Sequence, residues 1–190
     1  TRTMGFNSGT LSNDWEPKKL AHDRDIEFWV DPMDVDETNL TLSVANIQNT
    51  FEEEQAIPEK DSYRFSKLHA ELTTYSGRID KTTVDAAVFL EQFDTEMSIM
   101  DEAAVPEEGR ILYVTPSMNK IIKEADGLQR VITVTSPVSV NRKVHNLDDV
   151  QITMVPAARM ESKYDFTNGC VAAADADQIN WILIHPSCVV

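Results

Sequence analysis

Apolar residues at Leu40, Val44, Ile47 and Phe51 recur at steps of four, three and four, which draws one narrow stripe along a helix. That helix is predicted within the carboxylate-rich stretch from Asp31 to Arg64, polar over most of its circumference. Asp34 followed by Glu37 has capping-box spacing and marks the predicted start. Pro58 then suits the first position of a second helix, with Glu59 and Asp61 in the turn where the macrodipole favours anions. Phe65, Leu68, Leu72 and Tyr75 form the buried stripe of this second helix, and Gly77 is placed to stop it. On this reading the triplet Glu52, Glu53 and Glu54 falls near the C-terminal end of the first helix, where negative charge is disfavoured. It reads as a solvated face, or as a surface that meets basic residues of a neighbouring subunit.

A third helix is predicted from about Thr83 to Ala104, where Ala86, Leu90, Phe93, Met97, Met100 and Ala104 give the cleanest amphipathic pattern of the chain. The two methionines read as core filler. Ahead of all three helices the pattern is different. The opening thirty or so residues lack a helical period, carry turn residues, and then alternate at Ile26, Phe28 and Val30. This predicts a strand with one buried face, ended by Pro32, with Trp29 on the other face.

From Pro106 the grammar changes again. Pro106 to Gly109 makes a turn, and Ile111 to Val114 is a continuous apolar run of the kind that is covered on both faces. Thr115 can cap a helix that begins at Pro116, with Met118, Ile121, Ile122 and Ala125 inward and Gly127 at its end. Strands are predicted at Val131 to Val134, Val150 to Val155 and Ile179 to Ile184, with a turn at Asn168 and Gly169. Strand, helix and strand in succession suggest a right-handed crossover, or else an antiparallel return. The fold class is α+β: helical first, sheet-centred afterwards.

Charge narrows the function classes. Seventeen Lys and Arg stand against 32 Asp and Glu, a formal net charge of −15. Duplex binding through a broad surface relies on cations that displace condensed counterions, so this balance argues against direct nucleic-acid recognition. It permits life beside nucleic acid, as the wall of a container to which the contents do not stick. No apolar run reaches the roughly eighteen residues that would span a bilayer. Cys170 and Cys188 fit a reducing compartment better than a disulfide scaffold. The first residue is Thr1, which points to a processed protein or an excised fragment.

Chemistry is sparse. Asp31, Asp34, Asp36 and Glu37 invite a calcium loop, but counting from Asp34 puts Asn39 and Ala45 where the loop needs glycine and glutamate. His22 with Asp23 and Asp25, and His185 with Cys188, are the candidate catalytic neighbours; His185 before Pro186 reads as a structural turn. The phosphate-binding, dinucleotide, nucleophile-elbow and paired-cysteine motifs are absent. No catalytic, cofactor or metal residue is assigned, and the chain is expected not to be an enzyme.

Four stretches carry a resemblance: HDRDIEFWVDPMDVDETN (His22 to Asn39), ANIQNTFEEEQAIPEKDSYRFSKL (Ala45 to Leu68), VPEEGRILYVTPSM (Val105 to Met118) and INWILIHPS (Ile179 to Ser187). In this order they resemble the major capsid protein of tailed bacteriophages, closest to the prophage type of Gram-positive bacteria with the HK97-like fold. The resemblance implies a peripheral domain with a long spine helix and an axial domain of sheet plus helices. Residues 1–33 would be the returning arm of an extended loop with its peripheral strand, 34–81 the peripheral domain, and 82–190 the axial domain. An N-terminal arm, the outgoing half of that loop and a C-terminal return segment would lie outside the chain.

It further implies a virion protein assembled in the host bacterial cytoplasm. Copies of the chain would be its main partners, as hexamers and pentamers around double-stranded DNA, with scaffold and portal proteins beside them and no membrane. Trp15, Trp29, Glu52, Glu53 and Glu54 are the candidate subunit contacts. An encapsulin-like compartment shell and a small cytosolic α/β enzyme using His185 and Cys188 are the alternative function classes.

Overall fold

The computed structural model describes residues 13–15, 17, 19, 22–37, 43–74, 77–125, 128, 134–136, 139–140, 143–167 and 169–189. The chain divides into two compact units, residues 1–46 and 47–190, with the division inside a helix.

Within the first unit, the helix α1 spans Pro32–Glu37. Its cap is Asp31, not Asp34: the Asp31 carboxylate accepts the Met33 N–H at 2.9 Å, and Pro32 occupies the first helical position. Proline loses nothing there, because that N–H would have no partner in any case. Pro32 therefore opens a helix where the sequence predicted that it closes a strand. Residues 22–30 form no strand, and Ile26, Phe28 and Trp29 are all exposed. Alternation alone does not make a strand; the backbone N–H and C=O groups need a neighbouring ladder.

Helix α2 (Val44–Phe51) runs without a break through a π-helical turn (Glu52–Ala56) into α3 (Ile57–Thr74). The two helices predicted on either side of Pro58 are therefore one. A proline inside an α-helix drives its ring into the carbonyl four residues back. The wider π turn relieves that clash, and its bond from Ile57 N–H to Glu52 O keeps the backbone paired across it. None of the α2 residues is buried, so Val44, Ile47 and Phe51 do not face a core; Leu40 lies outside the described residues. Gly77 donates its N–H to Leu72 O at 2.7 Å just beyond α3, and a Cβ there would run into the Leu72 side chain. That agrees with the predicted stop, while Tyr75 lies outside the described residues.

Helix α4 covers Phe89–Glu102, several residues inside its predicted start. Asp85 sets the delay, because its carboxylate takes the N–H groups of Ala87 and Val88 at 3.0 and 3.1 Å. At the other end Ala104 adopts a left-handed φ of 55° in the turn that follows the helix. The β1 strand (Ile111–Val114) and the start of α5 (Pro116–Glu124) follow as predicted, with the Thr115 hydroxyl accepting from Met118 N–H at 3.3 Å, while Gly127 lies outside the described residues. Gly109 makes the turn before β1 at φ 88°, a conformation that favours glycine.

Of the strand expected at Val131 to Val134, residues 131–133 lie outside the described residues; Val134 opens β2 (Val134–Ser136), which among the described residues pairs with β3 (Ser139–Val140). The parallel partner of β1 comes later. After β4 (Asn146–Leu147), β5 (Val150–Met154) aligns with β1 from Ile111↔Gln151 to Val114↔Met154. A second small pair, β6 (Tyr164–Asp165) and β7 (Val171–Ala172), turns through Gly169 at φ 109°; Asn168 lies outside the described residues. The antiparallel β8 (Trp181–Ile184) completes a four-stranded sheet in the order β4-β5-β1-β8.

Alternation along β1 splits the core between the two sheet faces. Leu112 and Val114 join Phe89 and Phe93 of α4 and Met118 and Ile122 of α5. Tyr113 points the other way, into a smaller cluster with Phe65 and Leu68 of α3, Val155, Met160 and Ile182. Phe65 and Tyr113 meet edge to face with ring centroids 5.3 Å apart. Each buried Phe is worth about 1.5–3 kcal/mol relative to exposure. The second unit is thus mixed α+β, a sheet covered by helices on both faces.

Candidate functional site

Trp15 and Trp29 lie in the first unit, 92% and 87% exposed. Trp15 sits beside Asp14, whose carboxylate accepts its backbone N–H at 3.0 Å. Ile26, Phe28, Met33 and Val44 are also exposed, and none of the described residues of 1–46 is buried. A stretch whose described residues expose this much apolar surface gains stability by covering it.

Glu52, Glu53 and Glu54 occupy the π turn of the long helix rather than a helix end. The macrodipole penalty foreseen for them does not apply there, since unpaired carbonyls concentrate in a helix's last turn. All three are exposed, and Glu52 takes a salt bridge from Lys60 at 2.7 Å across the turn. The long helix is joined to the sheet body by Asp61, which receives Arg159 Nη1 at 3.1 Å, and by Ser62, which is almost fully buried. Tyr63 meets Phe166 edge to face at 5.9 Å. Close by, the Tyr164 hydroxyl donates to Ala158 O at 2.8 Å and accepts from Glu161 N–H at 3.0 Å. Burial pushes that phenol above its ordinary pKa.

One residue that sequence reasoning missed organises the other side. Arg110, with no exposed side-chain surface, donates to Asp101 Oδ1 and Val105 O at 2.6 Å each and to Pro106 O at 3.0 Å. A signal existed: a lone cation sits between a turn and an apolar strand that must be covered on both faces. Next to this corner, burial raises the Glu96 carboxyl above its usual value against the pull of Arg78, 3.0 Å away. The surface here holds two open depressions, one lined by Arg78, Asp80, Gln92 and Glu96 and a flatter one by Asp94, Ser98 and Glu102.

The candidate catalytic pairs come out differently from each other. His185 Nδ1 lies 3.2 Å from Ser187 N and 2.7 Å from Ser187 Oγ, and Nε2 lies 3.2 Å from Glu108 O. Both ring nitrogens therefore hold a turn, which is how the sequence reads this histidine. Burial raises the Cys188 thiol, the opposite of what an activated nucleophile needs. His22, Asp23 and Asp25 lie in the first unit. Among the described residues no three His, Cys, Asp or Glu side chains cluster to hold a metal ion, and no helix is long and apolar enough to cross a membrane. What the described surface offers chemically is contact: exposed aromatics in one unit, carboxylates on a long helix in the other. No family model, curated protein or solved structure matches this chain.

Proposed function

We propose that this chain is the major capsid subunit of a tailed phage or prophage, with an HK97-like fold, that assembles into an icosahedral shell around double-stranded DNA. One observation carries the reading: residues 1–46 expose Trp15, Trp29 and their apolar neighbours while none of their described side chains is buried. Such a segment is completed by another surface, and a subunit repeated by symmetry supplies one at every position. The uninterrupted helix from Val44 to Thr74 corresponds to the spine, and the helix-covered sheet from β1 to β8 to the axial domain. Shell cohesion then comes from many modest contacts multiplied by avidity, with Trp15, Trp29 and Glu52 to Glu54 among them. The acidic wall keeps enclosed DNA from adhering.

Expression of the full-length gene product with its scaffold tests this by negative-stain electron microscopy. Closed shells of hexamers and pentamers are the expected result. Discrete monomers under all conditions would overturn it, and shells that package a cargo enzyme in place of nuclease-protected DNA would favour the encapsulin-like alternative.

A further inference from the structure

Glu108 O can only accept, so the proton of a neutral His185 ring sits on Nε2, 3.2 Å away. Nδ1 is then the bare nitrogen, and both donors of Ser187 converge on it, N–H at 3.2 Å and Oγ at 2.7 Å. The turn Pro186–Cys188 starts from this cap and closes through Cys188 N–H to His185 O at 3.1 Å. The ring thus ties the end of β8 to the turn before β1 on one side and holds the following turn on the other.

We propose that His185 is an acid-released latch on the Pro186–Cys188 turn. A proton taken from solvent at Nδ1 removes the lone pair that Ser187 N–H needs. The Ser187 hydroxyl can reverse and accept, but an amide N–H cannot, so two donors face each other and the turn loses its cap. The bond from Nε2–H to Glu108 O survives and the Ser187 hydroxyl can follow the proton, so the ring stays docked while the Ser187 amide is released. Ionisable groups on the flanking segments are Glu107 and Glu108 in the turn, Arg110 at the adjoining register position, and Cys188 on the released side. Arg110 has its guanidinium committed to Asp101.

Nitrogen-15 NMR of the 190-residue chain provides the test. At about pH 8 the imidazole should show the Nε2–H tautomer. Exchange of the Ser187 amide, corrected for its intrinsic rate, should accelerate about three- to ten-fold on going to about pH 5. In His185→Asn the carboxamide oxygen still accepts from Ser187 N–H but does not titrate, so the acceleration should vanish. An Nδ1–H tautomer at high pH, a flat wild-type profile, or equal acceleration in both proteins would overturn the latch.

Discussion

Arg110 Nη2 lies 2.6 Å from Asp101 Oδ1, a guanidinium with no exposed surface bound to a carboxylate that is half exposed. The asymmetry has an energetic meaning. The cation left water entirely and is compensated by Asp101 together with the Val105 and Pro106 carbonyls, whereas the anion keeps part of its hydration. Asp101→Ala should therefore cost about 3–5 kcal/mol, because it leaves a fully buried guanidinium without its counter-charge. Arg110→Ala takes the buried charge away and leaves a carboxylate that water reaches, so its cost of about 2–4 kcal/mol comes from the cavity and the orphaned carbonyls. Urea denaturation of both variants checks this; a loss below about 1 kcal/mol in Asp101→Ala would show that the carbonyls alone hold the guanidinium.

Pro58 is a proline inside a helix, and the π turn before it is the accommodation. Replacing it with alanine restores a backbone donor and removes the ring. Pro58→Ala should stabilise the chain by about 1–2 kcal/mol. Thermal unfolding reads this directly, and a drop in midpoint would mean that the π turn does not depend on the proline.

Phe65 and Trp29 should separate folding from assembly. Phe65→Ala removes the ring that packs on Tyr113 and should destabilise the isolated chain by about 3–5 kcal/mol. Trp29→Ser, at an exposed position, should change its stability by less than about 0.5 kcal/mol. On the proposed capsid function, the same Trp29 change should lower the yield of shells seen by electron microscopy.

Glu96 gives a pH dependence with a definite sign. Burial raises its carboxyl in the folded state, so its contribution favours folding below the unfolded value of 4.5 and is lost as pH rises through the folded one. Asp80 runs the opposite way, because the Thr82 side chain and backbone hold its pKa down, and its contribution fades as pH falls below 3.8. Glu96→Gln should therefore be more stable than wild type at neutral pH, with the advantage shrinking in acid. Melting temperatures measured across that range would check this, and an advantage that grows in acid would refute it.

Where the sequence was legible, a short-range rule had no competitor. Thr115 and Pro116 cap α5 because hydroxyl and imino acid need only their immediate neighbours. Ile111 to Val114 became a central strand because only a doubly covered strand accepts four apolar residues in a row. Pro58 shows the opposite case: a local break signal was absorbed by a change of helical pitch. Asp85 and Asp31 displaced the predicted helix starts, since a carboxylate caps wherever it first meets free N–H groups. The alternation at Ile26, Phe28 and Val30 has no ladder to satisfy it. Arg110 was missed because its partners, from Met97 to Pro106, converge only after α4 and its following turn have folded. The exposure of Trp15 and Trp29 is a property of the folded chain that no spacing rule encodes.

The register of β1 has a consequence for biosynthesis. Its two neighbours in the sheet are β5 and β8, both encoded well downstream, and the last of its pairings needs Ile184. A nascent chain leaving the ribosome can wind the Val44–Thr74 helix early, but its central strand does not have both hydrogen-bonded neighbours until β5 and then β8 have emerged. Translation pauses upstream of Trp181 should therefore prolong the interval in which Leu112 and Val114 are open to chaperones.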